Sequence, residues 1–176
     1  MSPLILIGYM ASGKTTLGRA LARELHLEFI DTDSYLEQRF HKSVAELFAE
    51  RGEEGFRRLE SNVLHEVCEF EDVVVATGGG APCHGDNMDY LLTRGTVVWL
   101  QAPVEVICRR IAIAHTVRPL VAGKSDEELR AFVADALAAR QPFYARAHHA
   151  FRADELEDRK QIALSVARFQ QEILKV

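Results

Sequence analysis

Short apolar runs alternate along the chain with segments whose apolar residues recur every three or four positions, and most switches fall at glycine, aspartate or proline. Pro3 to Ile7 is a continuous apolar run stopped by Gly8, the pattern of a strand buried on both faces. From Lys14 the period changes: Leu17, Leu21 and Leu25 stand four apart and predict a helix. Leu27 to Ile30 reads as the next strand, ending at Asp31-Thr32-Asp33. Two short helices follow, Ser34 to Phe40 and Ser43 to Glu50, the second opened by a capping box of Ser43 with Glu46. A longer helix from Glu53 to Glu69 carries Phe56, Leu59, Val63 and Val67 on one face.

Val73 to Ala76 is a β-branched strand closed by Gly78-Gly79-Gly80. Asp86 to Leu92 reads as a helix, Thr96 to Leu100 as a strand, and Pro103 as the first turn of a helix through Ile111. Periodicity fails from Ala114 to Lys124, around Arg118-Pro119. Asp126 is expected to cap a helix to Arg140, and Pro142 to open another short one. Ala150 to Ala153 is the last strand candidate, and Glu157 to Leu174 a closing amphipathic helix. Five short strands separated by helices predict an α/β fold of three layers, a five-stranded parallel sheet covered by helices on both faces.

Composition narrows the function classes. The 176 residues fit one domain, and 48% hydrophobic with 27% charged residues describes a globular chain. The net charge of −5 and the lack of any Lys/Arg tract argue against a bulk grip on nucleic acid or an anionic membrane. No apolar run approaches the ~18 residues of a membrane span, and no secretory signal pattern opens the sequence, so a cytoplasmic location is expected. Cys68, Cys83 and Cys108 have neither metal-ligand spacing nor a disulfide pattern; Cys68 and Cys108 read as core or near-core thiols.

Candidate chemistry begins at Gly8-Tyr9-Met10-Ala11-Ser12-Gly13-Lys14-Thr15, which satisfies GxxxxGK[ST] between a strand and a helix. In such a P-loop, backbone N–H groups and the helix N-terminus surround phosphate oxygens, Lys14 bridges them and the Thr15 hydroxyl ligates Mg²⁺. Asp31 and Asp33 end the second strand, where ligands meet open α/β sheets. Two apart in an extended segment, they are expected to face one pocket. One would serve Mg²⁺, directly or through water, and the other a substrate hydroxyl; the competing reading is that Asp33 or Thr32 caps the following helix.

Three glycines in a row imply a ligand lying against backbone, since a plain turn needs fewer. The strand before them ends without a carboxylate, so Mg²⁺ would depend on Thr15, Asp31 and water, with Thr77 the nearest polar side chain. Arg57 and Glu60, three apart on a helix, form either a surface ion pair or a carboxylate-held arginine aimed at a substrate carboxylate. Arg118 and Arg140, at a loop and a helix end, are further candidates for binding anions.

In order and spacing these segments resemble the shikimate kinase family over essentially the full length. They are the P-loop, Phe29-Ile30-Asp31-Thr32-Asp33, Gly52-Glu53-x-x-Phe56-Arg57-Arg58-Leu59-Glu60, Gly78-Gly79-Gly80 and Val117-Arg118-Pro119-Leu120. The resemblance implies a single P-loop kinase domain over 1–176, similar in fold to nucleoside monophosphate kinases, with a substrate-binding region at about 33–61 and a lid at about 114–124. It implies transfer of the γ-phosphoryl group of ATP to the 3-hydroxyl of shikimate, with Mg²⁺, by a cytoplasmic monomer on the route to chorismate and aromatic amino acids.

By the same resemblance, Lys14, Asp33 and Arg118 are catalytic, and Thr15 and Asp31 serve the metal. ATP is held by Gly8, Ala11, Ser12, Gly13, Lys14, Thr15, Thr16, Arg110, Arg118 and Arg159. Shikimate is held by Asp33, Arg57, Gly78, Gly79, Gly80 and Arg140, with Glu60 orienting Arg57. Ala11 stands where the family usually has glycine, which is permissible where its φ is negative. A gluconate kinase-like enzyme and a nucleotide-binding regulatory protein share parts of the pattern. The former shares the P-loop and acidic residues, but the Gly78 cluster with Arg57 and Arg140 fits a rigid cyclic carboxylate better, and the latter needs no acceptor pocket.

Overall fold

In the computed structural model, which describes residues 1–114 and 123–175, five strands form one sheet. They are β1 (Leu4–Ile7), β2 (Glu28–Asp31), β3 (Val73–Ala76), β4 (Thr96–Gln101) and β5 (His149–Arg152), in spatial order β2-β3-β1-β4-β5 with every pair parallel. Parallel strands need crossovers, and helices supply them. These are α1 (Lys14–Leu25), α2 (Thr32–Phe40), α3 (Val44–Val67), α4 (Asn87–Arg94), α5 (Val104–Ile113) and α6 (Asp126–Tyr144), and α7 (Arg159–Phe169) follows the last strand.

Alternation along the strands divides the core. Ile5, Ile7, Val73, Val75 and Val97 face Leu36, Phe56, Leu64, Val67 and Leu91 on one side of the sheet. Leu4, Leu6, Val74, Val98 and Leu100 face Leu17, Leu21, Val166 and Phe169 on the other. All four residues of β1 are buried, as the unbroken apolar run requires. The chain leaves β1 toward α1 on one face and leaves β3 toward α4 on the other. The ends of these paired neighbours therefore flank a crevice, the switch point where open α/β sheets bind ligands. A third apolar cluster joins Tyr9 to Ile107 and Ile111 of α5 and to Leu129 and Val133 of α6, beneath the loop after β1.

Most expected elements are present, with instructive differences. Ser43 and Glu46 do form a reciprocal cap, and Gly52 (φ 66°, ψ 178°) breaks α3 between the two helices expected there. Ser125, not Asp126, caps α6, paired with Glu128 in a second capping box, and the helix runs through Pro142 to Tyr144. Pro142 stands exposed in the last turn, where one missing donor costs little, and the next bond, Ala145 N–H to Gln141 O at 2.9 Å, closes normally. The closing helix starts after the Asp158 cap and ends as a π-helical turn, Gln170–Leu174. Cys68 and Cys108 are buried as expected, and burial pushes the Cys68 thiol up to about 12. The lid expected at 114–124, Arg118 included, lies outside the described residues except at its ends. No described helix is long and apolar enough to cross a membrane.

Gly95 joins α4 to β4 where a β-carbon would sit 2.1 Å from the carbonyl oxygen of Pro3, itself the acceptor of the Thr96 N–H at 3.0 Å. Gly95→Ala must push two strands apart and is expected to destabilise by about 1–3 kcal/mol, read from the urea midpoint at constant m.

Candidate active site

The loop after β1 wraps a lysine. Lys14 is buried, and its Nζ donates to the carbonyls of Gly8 and Tyr9, both at 2.8 Å. Gly13 holds φ 102° at the head of α1, a conformation that favours glycine, and a β-carbon there would lie 2.3 Å from Leu156. Ser12 is buried, and its Oγ has no hydrogen-bond partner among the described residues. Ala11 departs from expectation: its φ is 58°, not negative. An L-residue in the left-handed region costs about 1 kcal/mol, and Ala11 packs there against the α5–α6 cluster.

Asp31 and Asp33 reach the same crevice by a route different from the one expected. Asp31 ends β2 and is itself the cap of α2: its Oδ1 accepts from the N–H groups of Asp33 (3.2 Å) and Ser34 (3.3 Å). Its Oδ2 accepts from the Thr15 hydroxyl at 2.8 Å, so the two expected metal residues stand together. Asp33 is therefore in the first turn of a helix rather than an extended segment, and neither Asp33 nor Thr32 is the cap. Thr32 instead accepts from the Gly78 N–H at 2.9 Å, and Thr77 turns inward to donate to Leu6 O at 3.4 Å.

The glycine turn is where the charges meet. A β-carbon on Gly78 would lie 2.9 Å from both Asp33 Oδ1 and Glu60 Oε1. One on Gly79 would lie 3.2 Å from the Met10 N–H nitrogen and 3.5 Å from Arg140 Nη1, and one on Gly80 would lie 3.1 Å from Arg57 Nη1. Three successive positions each meet a charged side chain, brought by α2, α3 and α6. Arg57 donates to Glu60 at 2.8 Å with Glu60 only 6% exposed, which rules out the surface-pair reading. Arg57 Nε is buried without a hydrogen-bond partner among the described residues. Arg140 enters no ion pair among those residues. A planar carboxylate suits two arginine forks so placed.

The remaining candidates separate. Arg110 reaches back to the P-loop, donating to Ala11 O at 3.4 Å and to the carbonyls of Ala153 (2.9 Å) and Asp154 (3.0 Å), with Glu157 as ion partner. Thr16 and Arg159 share a groove between α1 and α7 and do not join the glycine cleft. Sequence reasoning missed three contributors. Thr32 positions Gly78, Tyr144 donates to Gly79 O at 2.5 Å, and Tyr9 lies buried under Arg140, whose guanidinium sits 5.1 Å from its ring centroid. Tyr144 carried a weak signal as an aromatic one turn after Arg140; Tyr9 occupies a position the motif leaves open.

A parallel sheet in this order, with a P-loop after its central strand and an acid–arginine cleft beside it, defines the P-loop kinase fold of the nucleoside monophosphate kinase type. The shikimate kinase family profile matches residues 10–171. A shikimate kinase of Phocaeicola vulgatus is 58% identical over 166 residues, covering 94% of this chain and 95% of that protein. The crystal structure of a shikimate kinase from Bacteroides thetaiotaomicron superposes with a TM-score of 0.95 at 55% identity, covering 99% of this chain and 98% of that one. A shikimate kinase from Acinetobacter baumannii in complex with shikimate gives 0.85 at 35% identity, covering 99% and 94%. The chain belongs to the shikimate kinase family.

Asp33 carries a pH signature. Surrounding protein atoms desolvate its carboxyl group, and Asp31 and Glu60 add like charge, against which Lys14 pulls the other way; the pKa is raised from 3.8 to about 6. The side chain remains open to water at the cleft mouth, which screens part of this effect. A raised folded pKa makes ionisation unfavourable, so stability declines as pH rises from about 4 to about 6 and is flat above. Asp33→Asn is therefore expected to melt higher than the parent at pH 8, with the gain vanishing near pH 4. Carbon-13 NMR titration of the parent should place this carboxyl well above 3.8.

Proposed function

We propose that this protein transfers the γ-phosphoryl group of ATP to the 3-hydroxyl of shikimate, giving shikimate 3-phosphate and ADP. The observation that carries the reading is the glycine turn, where Asp33, Arg140 and Arg57 each stand against one of three residues without a β-carbon. A small carboxylated polyol can lie on that backbone, its carboxylate toward Arg57 and Arg140 and a hydroxyl toward Asp33. Glu60 fixes the Arg57 fork.

The residues also fit a nucleoside triphosphate and Mg²⁺. Gly8 to Thr15 presents loop N–H groups, a buried lysine and a Ser12 hydroxyl with no partner among the described residues. Thr15 and Asp31 offer the oxygen donors that a hard cation takes. Bound there, Mg²⁺ supplies charge neutralisation to the phosphates. Lys14 exchanges two carbonyls for phosphate oxygens, and Asp33 orients the acceptor hydroxyl and accepts its proton. Arg118, assigned from the sequence, adds positive charge to the transferring group. Arg110 borders the nucleotide through its hold on Ala11 and the 153–154 backbone. Thr16 and Arg159 are assigned to the nucleotide's outer edge. Positioning and electrostatics then supply most of the rate. The substrate region spans about 33–61 and the lid about 114–124, in one domain, and the enzyme acts as a cytoplasmic monomer.

ATP consumption compared across shikimate, gluconate and nucleoside monophosphates tests the reading, with phosphorus NMR of the product locating the new ester. Shikimate alone is expected to turn over; turnover of none would leave a binding protein. Asp33→Ala should lower kcat by about 10²–10⁴ while calorimetry finds ATP affinity nearly unchanged, whereas Lys14→Ala should lose both. Arg57→Lys keeps the charge without the fork and should raise the KM for shikimate roughly tenfold or more, with little change for ATP. Glu60→Gln should give a milder defect of the same kind.

A further inference from the structure

Tyr9 is one of the four P-loop residues whose type the motif does not specify, yet it is 1% exposed and touches both halves of the site. Its carbonyl accepts from Lys14 Nζ at 2.8 Å and from the Ser12 N–H at 3.2 Å. Its ring carries the Arg140 guanidinium at 5.1 Å. The same ring is a member of the cluster that packs α6, the helix bearing Arg140, onto the loop after β1. Beside it, the point where a Gly79 β-carbon would stand is 3.2 Å from the Met10 nitrogen, 3.4 Å from the Gly8 carbonyl oxygen and 3.5 Å from Arg140 Nη1. P-loop backbone and arginine converge on the glycine turn, and the arginine lies over the Tyr9 ring.

We propose that Tyr9 is a positioning residue for acceptor binding: its ring is the platform that holds the Arg140 guanidinium toward the glycine turn, in register with the lysine bonded to its own carbonyl. This deepens the reading above and rests on it, since it takes Arg140 to bind the acceptor carboxylate. The physical basis is the attraction of a cation to a π face, which is stronger where water is excluded, as it is at a side chain this buried. An arginine without an ion partner among the described residues needs another constraint if its fork is to be preorganised, and the ring supplies one without neutralising the charge that the carboxylate requires. A carboxylate in the same place would hold Arg140 as firmly but would compete with the substrate.

The test separates π character from size. Phenylalanine, 4-fluorophenylalanine and 3,4,5-trifluorophenylalanine are placed at position 9 of the full chain, and KM for shikimate and for ATP is measured for each. Fluorine withdraws the π density while the ring stays close to the same size. The KM for shikimate is expected to climb stepwise through the series, by roughly threefold to thirtyfold in all, with the KM for ATP moving much less. Tyr9→Leu should show the same bias toward shikimate where it folds. A flat series overturns the proposal, because a purely structural aromatic would not respond to fluorination. Arg140→Met run alongside keeps the two claims apart. If it raises the KM for shikimate while the series stays flat, the acceptor reading stands and the role of Tyr9 falls. If it leaves that KM unchanged, Arg140 is not an acceptor ligand and the proposal falls with it. A parent enzyme that does not turn over shikimate defeats both.

Discussion

The site depends on a steric permission. Asp33, Glu60, Arg140 and Arg57 crowd the positions that β-carbons of residues 78–80 would occupy, and helices from different parts of the chain approach because nothing projects there. That permission is useful only because β3 is pinned beside β1, register Leu4 to Val74 through Leu6 to Ala76, which sets the glycine turn against the P-loop. Secondary bonds then lock the turn: Thr32 receives the Gly78 N–H and Tyr144 donates to the Gly79 carbonyl. The charges are thus arranged around a fixed backbone, which is how a phosphoryl-transfer site gains rate by positioning.

Electrostatic pairing divides the two arginines. Arg57 has a buried carboxylate partner that orients it and leaves Nε uncommitted, whereas Arg140 has an aromatic face and no ion partner among the described residues. The cleft thereby presents one cation already partly compensated and one with no ion partner among the described residues. The two differ in what a loss exposes: loss of Arg57 leaves Glu60 buried and unpaired, while loss of the Tyr9 ring takes away the aromatic face beside Arg140 and leaves no buried charge.

What could be read from the sequence were features whose spacing is local. The P-loop, the Ser43 cap, the Arg57–Glu60 pair and the strand cores all follow from residues within seven positions of one another. Features set by distant contacts were hidden or misassigned. Ala11 takes a left-handed backbone and packs on a cluster from α5 and α6, elements remote from it along the chain. Asp33 belongs to a helix rather than to strand geometry because Asp31, one position before that helix, captures its first N–H groups. Asp126 and Ser125 are both good caps, and only the Glu128 carboxylate returning to the Ser125 N–H decides between them. Tyr9 drew no notice, since a side chain supporting an arginine about 130 positions away leaves no periodic trace.

Asp31 divides its two oxygens between tasks, one holding the first turn of α2 and the other the Thr15 hydroxyl. Selection therefore sees this position twice. Asparagine can keep the helix start through its amide oxygen but offers a cation a weaker donor, and glutamate keeps the charge but is too long to reach back to the same N–H groups. Serine caps as well as aspartate and brings no charge. Neighbouring residues can drift one trait at a time; here each substitution that keeps the helix start gives up the charged oxygen beside Thr15, or the reverse. Such a residue is expected to be frozen by pleiotropy, even though no single contact it makes is exceptionally strong.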